Sequence, residues 1–207
     1  MAIGSSVVIA AGYNPNLPAV RIQTRADYVA VPINVHSDAK DAVKRFDQIE
    51  TALREISSRV KPHADLSVRP GVVSLSSQET SKSFSSYASG SSSAQFYVLG
   101  ALKPDATVFT VAKRIHQVVA SAPLTDGTRI ALGNTMLGMD DPEKFRAQLL
   151  GLISKSAAET KKLLGASGPA EIDGLENSVA VAQLNDSEVV VFINYRAKIH
   201  LSGSTGR

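Results

Sequence analysis

The stretch Tyr28-Val29-Ala30-Val31-Pro32-Ile33-Asn34-Val35, with Val43, Phe46, Ile49, Leu53, Ile56 and Val60 behind it, decides the fold class. Its first part is β-branched and roughly alternating, the pattern of a strand. Pro32 has no N–H to give a ladder, which places that strand at an edge or calls for a bulge. The apolar residues of the second part recur at steps of 3, 3, 4, 3 and 4, one stripe along a helix. Ser37-Asp38 offers a cap at its start and Pro62 ends it. Lys40, Lys44, Glu50 and Arg54 form its solvated face.

Working outward, 66–76 reads as a strand carrying Val68, Val72, Val73 and Leu75, with a bulge or bend at Pro70-Gly71. Ten of the eighteen residues at 76–93 are serine, and Phe84 and Tyr87 are the only large side chains among them. Long connections inside compact domains are usually functional or disordered, so this Ser-rich stretch reads as a hairpin-like projection over 76–94 or a mobile loop, and Phe84 and Tyr87, odd in a pure linker, favour the projection. A strand at 95–102 follows. Lys103-Pro104-Asp105 turns the chain into a second helix, faced by Val108, Val111, Ala112, Ile115, Val118 and Val119. Another strand is expected over 129–137.

Asp140-Asp141-Pro142-Glu143 has the form of a helix start, a capping carboxylate ahead of Pro in the first turn. Phe145, Leu149, Leu152, Ile153, Leu163 and Leu164 would line that third helix, and Gly165 would cap its end. Strands at 179–184 and 188–199, joined by Asn185-Asp186-Ser187, make a hairpin. From Tyr28 to Leu137 the order is strand, helix, strand, strand, helix, strand. That is the split βαβ arrangement, an α+β antiparallel sheet with two helices on one face, extended here by the third helix and the C-terminal hairpin. One domain over 20–200 is expected, with an N-terminal segment at 1–19 and a flexible tail at 201–207.

Composition bounds the chemistry. Of 207 residues, 43% are hydrophobic and 20% charged, enough for a core and too balanced for disorder. The net charge of +3 is small and spread out, so it does not by itself point to nucleic acid. The absence of Cys excludes disulfides, thiolate nucleophiles, iron–sulfur clusters and Cys-based zinc sites. Residues 1–11 hold a short apolar run without the positive region of a signal peptide, and Gly12 and Pro18 bound it well short of a membrane span. A secreted protein stripped of its leader would read the same way, so the compartment stays open.

Three places carry a likeness to a known family. Ala26-Asp27-Tyr28-Val29-Ala30-Val31 is similar to a Pro-Asp-x-Ala-x-Val opening of a first strand, with Ala26 in place of the Pro. Leu132-Gly133, Leu137 and Asp140-Asp141-Pro142 keep part of an Ile-x-Gly-Ile-x-Phe-x-Leu-x-Asp-Pro segment, and the helix running to Gly165 ends in Leu-Gly. In these features, over about residues 20–199, the chain resembles the SIMPL domain family of mostly bacterial envelope proteins. The resemblance implies a non-enzymatic protein that forms rings or larger homo-oligomers, periplasmic if a leader was removed; apart from the resemblance, a cytoplasmic or virion location stays open.

No catalytic, cofactor or metal site is expected. His36, His63, His116 and His200 show no metal-ligand spacing, and Gly133 to Gly138 lacks the Lys-Ser/Thr of a phosphate loop, so a strand-end turn explains both glycines. No Gly-x-Ser-x-Gly elbow is present. Three functions survive. A self-assembling structural protein would use the projection, with Phe84 and Tyr87 as subunit contacts, alongside the terminal hairpin and N-terminal segment; a virion capsid or tail subunit is its variant. A binding module would present Arg129, Arg196 and Lys198 from the sheet face to an anionic partner such as RNA, although the aromatic motif of RNA-binding sheets is missing. An enzyme of unseen type is the third.

Overall fold

The computed structural model describes residues 7–9, 17–74 and 91–200. In chain order the first elements are strands β1 (Val7–Ile9), β2 (Ile22–Arg25) and β3 (Tyr28–Ser37), then helix α1 (Ala42–Val60). Strands β4 (Leu66–Ser74) and β5 (Ser92–Ala101) precede helix α2 (Val108–Ala120) and strands β6 (Thr128–Leu132) and β7 (Met136–Asp140). A 3-10 turn at Pro142–Phe145 leads into helix α3 (Arg146–Leu163). Strands β8 (Ala170–Asp173), β9 (Ala180–Gln183), β10 (Glu188–Phe192) and β11 (Arg196–Ile199) complete an α+β fold. Where one domain over 20–200 was expected, the chain divides into two compact units, Tyr28–Met136 and the combination of Met1–Asp27 with Leu137–Arg207.

The first unit has the split βαβ order. Its strands run β6-β3-β5-β4, every neighbouring pair antiparallel. Helices α1 and α2 touch each other and both touch β3, so they share one face of the sheet. Ile49, Ala52, Ile56 and Val60 of α1 and Val111, Ile115 and Val119 of α2 are buried over Val31, Ile33, Val35, Phe96 and Val98. Gly100 is required beneath α2, because a Cβ there would lie 2.4 Å from a Val111 methyl. The expected bulge in β4 is present as a register shift between Pro70 and Val73.

Several expectations for this unit need correction. Strand β3 is interior rather than at an edge, flanked by β5 and β6. Pro32 is tolerated because the β6 ladder begins only at Ile33, while the Pro32 carbonyl accepts the Gly133 N–H at 2.8 Å. The N-cap of α1 is Asp41, which accepts the Lys44 N–H at 2.8 Å, and not Ser37-Asp38. The buried stripe of α1 runs through Arg45, Gln48, Ile49, Ala52, Ile56 and Val60, leaving Val43 exposed and Leu53 half-buried. The strand expected over 129–137 is two strands, β6 and β7, separated at Gly133; Gly138 lies inside β7.

In the second unit β10 is central to a three-stranded antiparallel sheet, β2-β10-β9, with Val189 to Ile193 buried. The β9–β10 hairpin is as expected. Asn185 Oδ1 accepts the N–H groups of Ser187 and Glu188 at 3.0 and 2.8 Å, an Asx turn that explains why Asn sits there. The strand expected at 188–199 breaks after Phe192, and β11 pairs instead with β8 in a two-stranded ribbon. Strand β1 pairs antiparallel with β7.

The third helix starts differently from its expected cap. Asp141 takes a left-handed φ of 47° and neither it nor Asp140 caps the helix; Asp140 ends β7. Leu149, Ile153 and Ala157 are buried, but Leu152, Leu163 and Leu164 are exposed rather than lining a core. Gly165, with φ of 61°, ends α3 as expected. Its N–H bonds to Lys162 O and that of Ala166 to Lys161 O, satisfying two of the last carbonyls.

Candidate functional site

The buried polar residues among those described are Ser37, Arg45, Gln48, Ser92 and Thr128, and they meet at one end of the first unit's sheet. Ser37, the last residue of β3, lies in register with Thr128 on one side and Ser92 on the other, a row of hydroxyls across three strands. From α1, Gln48 accepts the Ser37 hydroxyl at 2.5 Å and donates to the Asp126 carbonyl at 2.8 Å. Arg45 donates to Ser92 Oγ at 3.2 Å and to the carbonyls of Ala39 and Lys40 at 2.9 and 3.1 Å. Thr128 Oγ1 bonds to Thr125 Oγ1 at 3.0 Å. No buried side-chain polar atom of the described residues is left without a partner.

The arrangement is tethering rather than reactive. The Ser37 proton is directed at a carboxamide, which cannot take it, so this hydroxyl is not activated for attack. Arg45 instead fixes Ser92, the first residue of β5, to the segment leading into α1. An open cleft of about 350 Å³ beside the row is lined by Lys44, Asp47, Gln48, Thr51, Thr125 and Asp126.

A second polar cluster lies in the other unit, at the start of α3. The Arg146 guanidinium grips the Glu143 carboxylate at 2.6 and 3.1 Å and also donates to the carbonyls of Leu175 and Asn177 at 2.9 and 2.8 Å. Glu143 additionally accepts the Val179 N–H at 2.9 Å. The hydrogen bond from Arg146, then that from Val179, holds the Glu143 carboxyl below its ordinary pKa, and the same pairing raises that of Arg146. Next to this clamp is a concavity of about 500 Å³ lined by Asp173, Gly174, Asn177, Asn194, Tyr195 and Arg196.

The residues singled out in the sequence are dispersed. Phe84 and Tyr87, with most of the Ser-rich projection, lie outside the described residues, as does the tail at 201–207. Strands β4 and β5 pair out to Ser74 opposite Ser93, at the two ends of that stretch. Arg129 is on β6, paired with Asp38 at 3.0 Å, whereas Arg196 and Lys198 are on β11, where Lys198 pairs with Asp173 at 3.2 Å. The three cations therefore divide between two sheets, Arg129 in one and Arg196 with Lys198 in the other. His63 contacts Arg114 at 3.3 Å, His200 lies 3.7 Å from Glu171, and His116 is exposed. Among the described residues no group of three or more His, Cys, Asp or Glu is placed to hold a metal.

Arg45, Gln48 and Arg146 were not singled out by sequence reasoning. A signal for the first two was present: they fall on the same helical face as Ile49, Ala52 and Ile56, and a polar residue on an apolar stripe marks a buried network. Among the described residues no helix is long and apolar enough to cross a membrane. The chain matches no family model, no curated protein and no solved structure.

Proposed function

We propose that this chain is a non-enzymatic, self-assembling structural protein of the SIMPL type that forms a homo-oligomeric ring or shell. The observation carrying the reading is strand β4, an edge strand of its sheet among the described residues, with Val72 and Val73 exposed at 70% and 56%. An outer strand carrying apolar side chains is a template for a strand from another copy. Pro70, the adjoining bulge and the charged Arg69 interrupt that template, so only short pairing is available. Short, interrupted pairing suits a closed assembly better than open-ended stacking. The split βαβ order agrees with the family resemblance, and Arg45 gives the base of the Ser-rich stretch a fixed anchor at Ser92.

Sedimentation of the full chain against two variants tests the proposal. Val72→Lys combined with Val73→Lys places charges on side chains that are already exposed, so the fold is retained while edge pairing is opposed. The assembled species is expected to collapse toward the mass of one chain. Deletion of 77–90, which keeps Ser92 and its anchor at the start of β5, is expected to reduce oligomer size as well. Sedimentation unchanged in both variants would remove β4 and the projection as subunit contacts.

A further inference from the structure

We infer that the concavity of the second unit is a binding site for an acidic sugar, a hexuronic acid residue held by Arg196, Asn194 and Tyr195. This goes beyond the assembly reading and does not depend on it. The volume of about 500 Å³ falls within the range of small-molecule clefts. What distinguishes the place is a restrained floor with, beside it at 194–196, polar side chains that the protein itself does not use.

The floor is the turn at 174–177. Gly174 has φ of 87°, and a Cβ there would lie 2.8 Å from Asn194 O and 2.9 Å from Asn177 Nδ2, so only glycine lets the two segments close. Asn177 Nδ2 donates to Asn194 O at 2.7 Å, and the Asn177 N–H to Gly174 O at 3.2 Å. Arg146, itself clamped by Glu143, also donates to the carbonyls of Leu175 and Asn177. A turn restrained this way needs no ordering when a ligand arrives.

The open groups have a definite chemistry. Arg196 stands opposite Asp173 across the β8–β11 ladder, yet Asp173 pairs diagonally with Lys198 at 3.2 Å. The Arg196 side chain makes no hydrogen bond or ion pair with any described residue, and the side chains of Asn194 and Tyr195 make none either. The site thus offers a guanidinium fork for a carboxylate and carboxamide and phenol groups for hydroxyls. It also offers a half-buried aromatic ring, whose face can pack on a sugar's C–H groups. Donors and acceptors interleaved around one ring match adjacent hydroxyls, which act as both, better than they match a bare inorganic anion. The unneutralised guanidinium selects the acid over the neutral sugar.

The test is saturation-transfer NMR with calorimetry on the full chain, using digalacturonate and its neutral methyl ester as probes. Wild type is expected to give saturable binding to digalacturonate, and Arg196→Gln to weaken it about tenfold, the loss of one charge-assisted contact. The ester is expected to bind wild type as weakly as the acid binds that variant, and Tyr195→Ala to abolish transfer to the ring protons. Arg196 is exposed, so the melting temperature of Arg196→Gln should equal that of wild type. Absence of saturable binding to wild type, equal affinity in Arg196→Gln, or equal affinity for the ester would each overturn the assignment.

Discussion

The buried row at the end of β3 and the concavity around Arg196 contain similar side chains, arginine and short polar groups in both. They differ in what those groups have left to give. In the row, Arg45 is 3% exposed and its guanidinium is consumed by Ser92 and two backbone carbonyls. In the concavity the Arg196 side chain is exposed and makes no hydrogen bond or ion pair with a described residue. Satisfied burial makes a polar group part of the scaffold; exposure without a partner beside a restrained turn leaves it open, in the proposed site to a ligand. The same residue type therefore has opposite expected consequences when removed.

Arg45→Ala should have the largest effect, a loss of about 2–4 kcal/mol in urea unfolding, because Ser92 and two carbonyls lose a buried partner together. If it unfolds at the same urea concentration as Arg196→Ala, the contrast between the two regions is void. Gln48→Ala comes next, at about 1–3 kcal/mol, since it strands the Ser37 hydroxyl and the Asp126 carbonyl. Combined with Ser37→Ala it should cost clearly less than the two single losses added, the mark of a shared hydrogen bond. Strict additivity would show that the row is not a network.

Glu143→Gln sharpens the contrast on the other side, through the turn that floors the concavity. The Glu143 carboxyl has its pKa lowered on folding, so its contribution to stability is complete above the ordinary carboxylate range. That contribution is lost as pH falls through the lowered value. The carboxylate is about 40% exposed, so screening keeps the effect below about 1 kcal/mol. Wild type should be slightly more stable than Glu143→Gln at neutral pH, the gap closing in acid; thermal melts at stepped pH read this directly, and a constant gap would deny the linkage. Smallest of all is Arg196→Gln, expected to leave stability within about 0.5 kcal/mol of wild type in the same urea titration.

The parts of the fold legible in the sequence are those written in local pattern. Helix periodicity in α1 and α2 and β-branched runs in β3 and β10 produced the split βαβ order, and Asn185 marked its hairpin through its own turn chemistry. Strands β1, β2 and β8 were missed because they are short and exist by pairing with distant partners; β2, for example, is ordered against β10. Pro32 misled because its cost depends on where a neighbouring ladder begins, which no local rule contains. Leu163 and Leu164 continued an apolar pattern beyond the last buried turn at Ala157. The polar stripe of α1 was legible, but its partners were not, because no local pattern pairs Ser37 with Gln48 across a strand–helix turn or Arg45 with Ser92, 47 residues away. The concavity's polar groups met only when β8 and β11 came into register.

The proposed assembly role is tested most directly by the solution mass of the full chain from light scattering after size exclusion, at low and at high salt. The account predicts one discrete particle of several 21.9 kDa chains, with its mass unchanged by salt, because contacts through backbone pairing and apolar side chains are not screened. A single chain at every concentration and salt would contradict it.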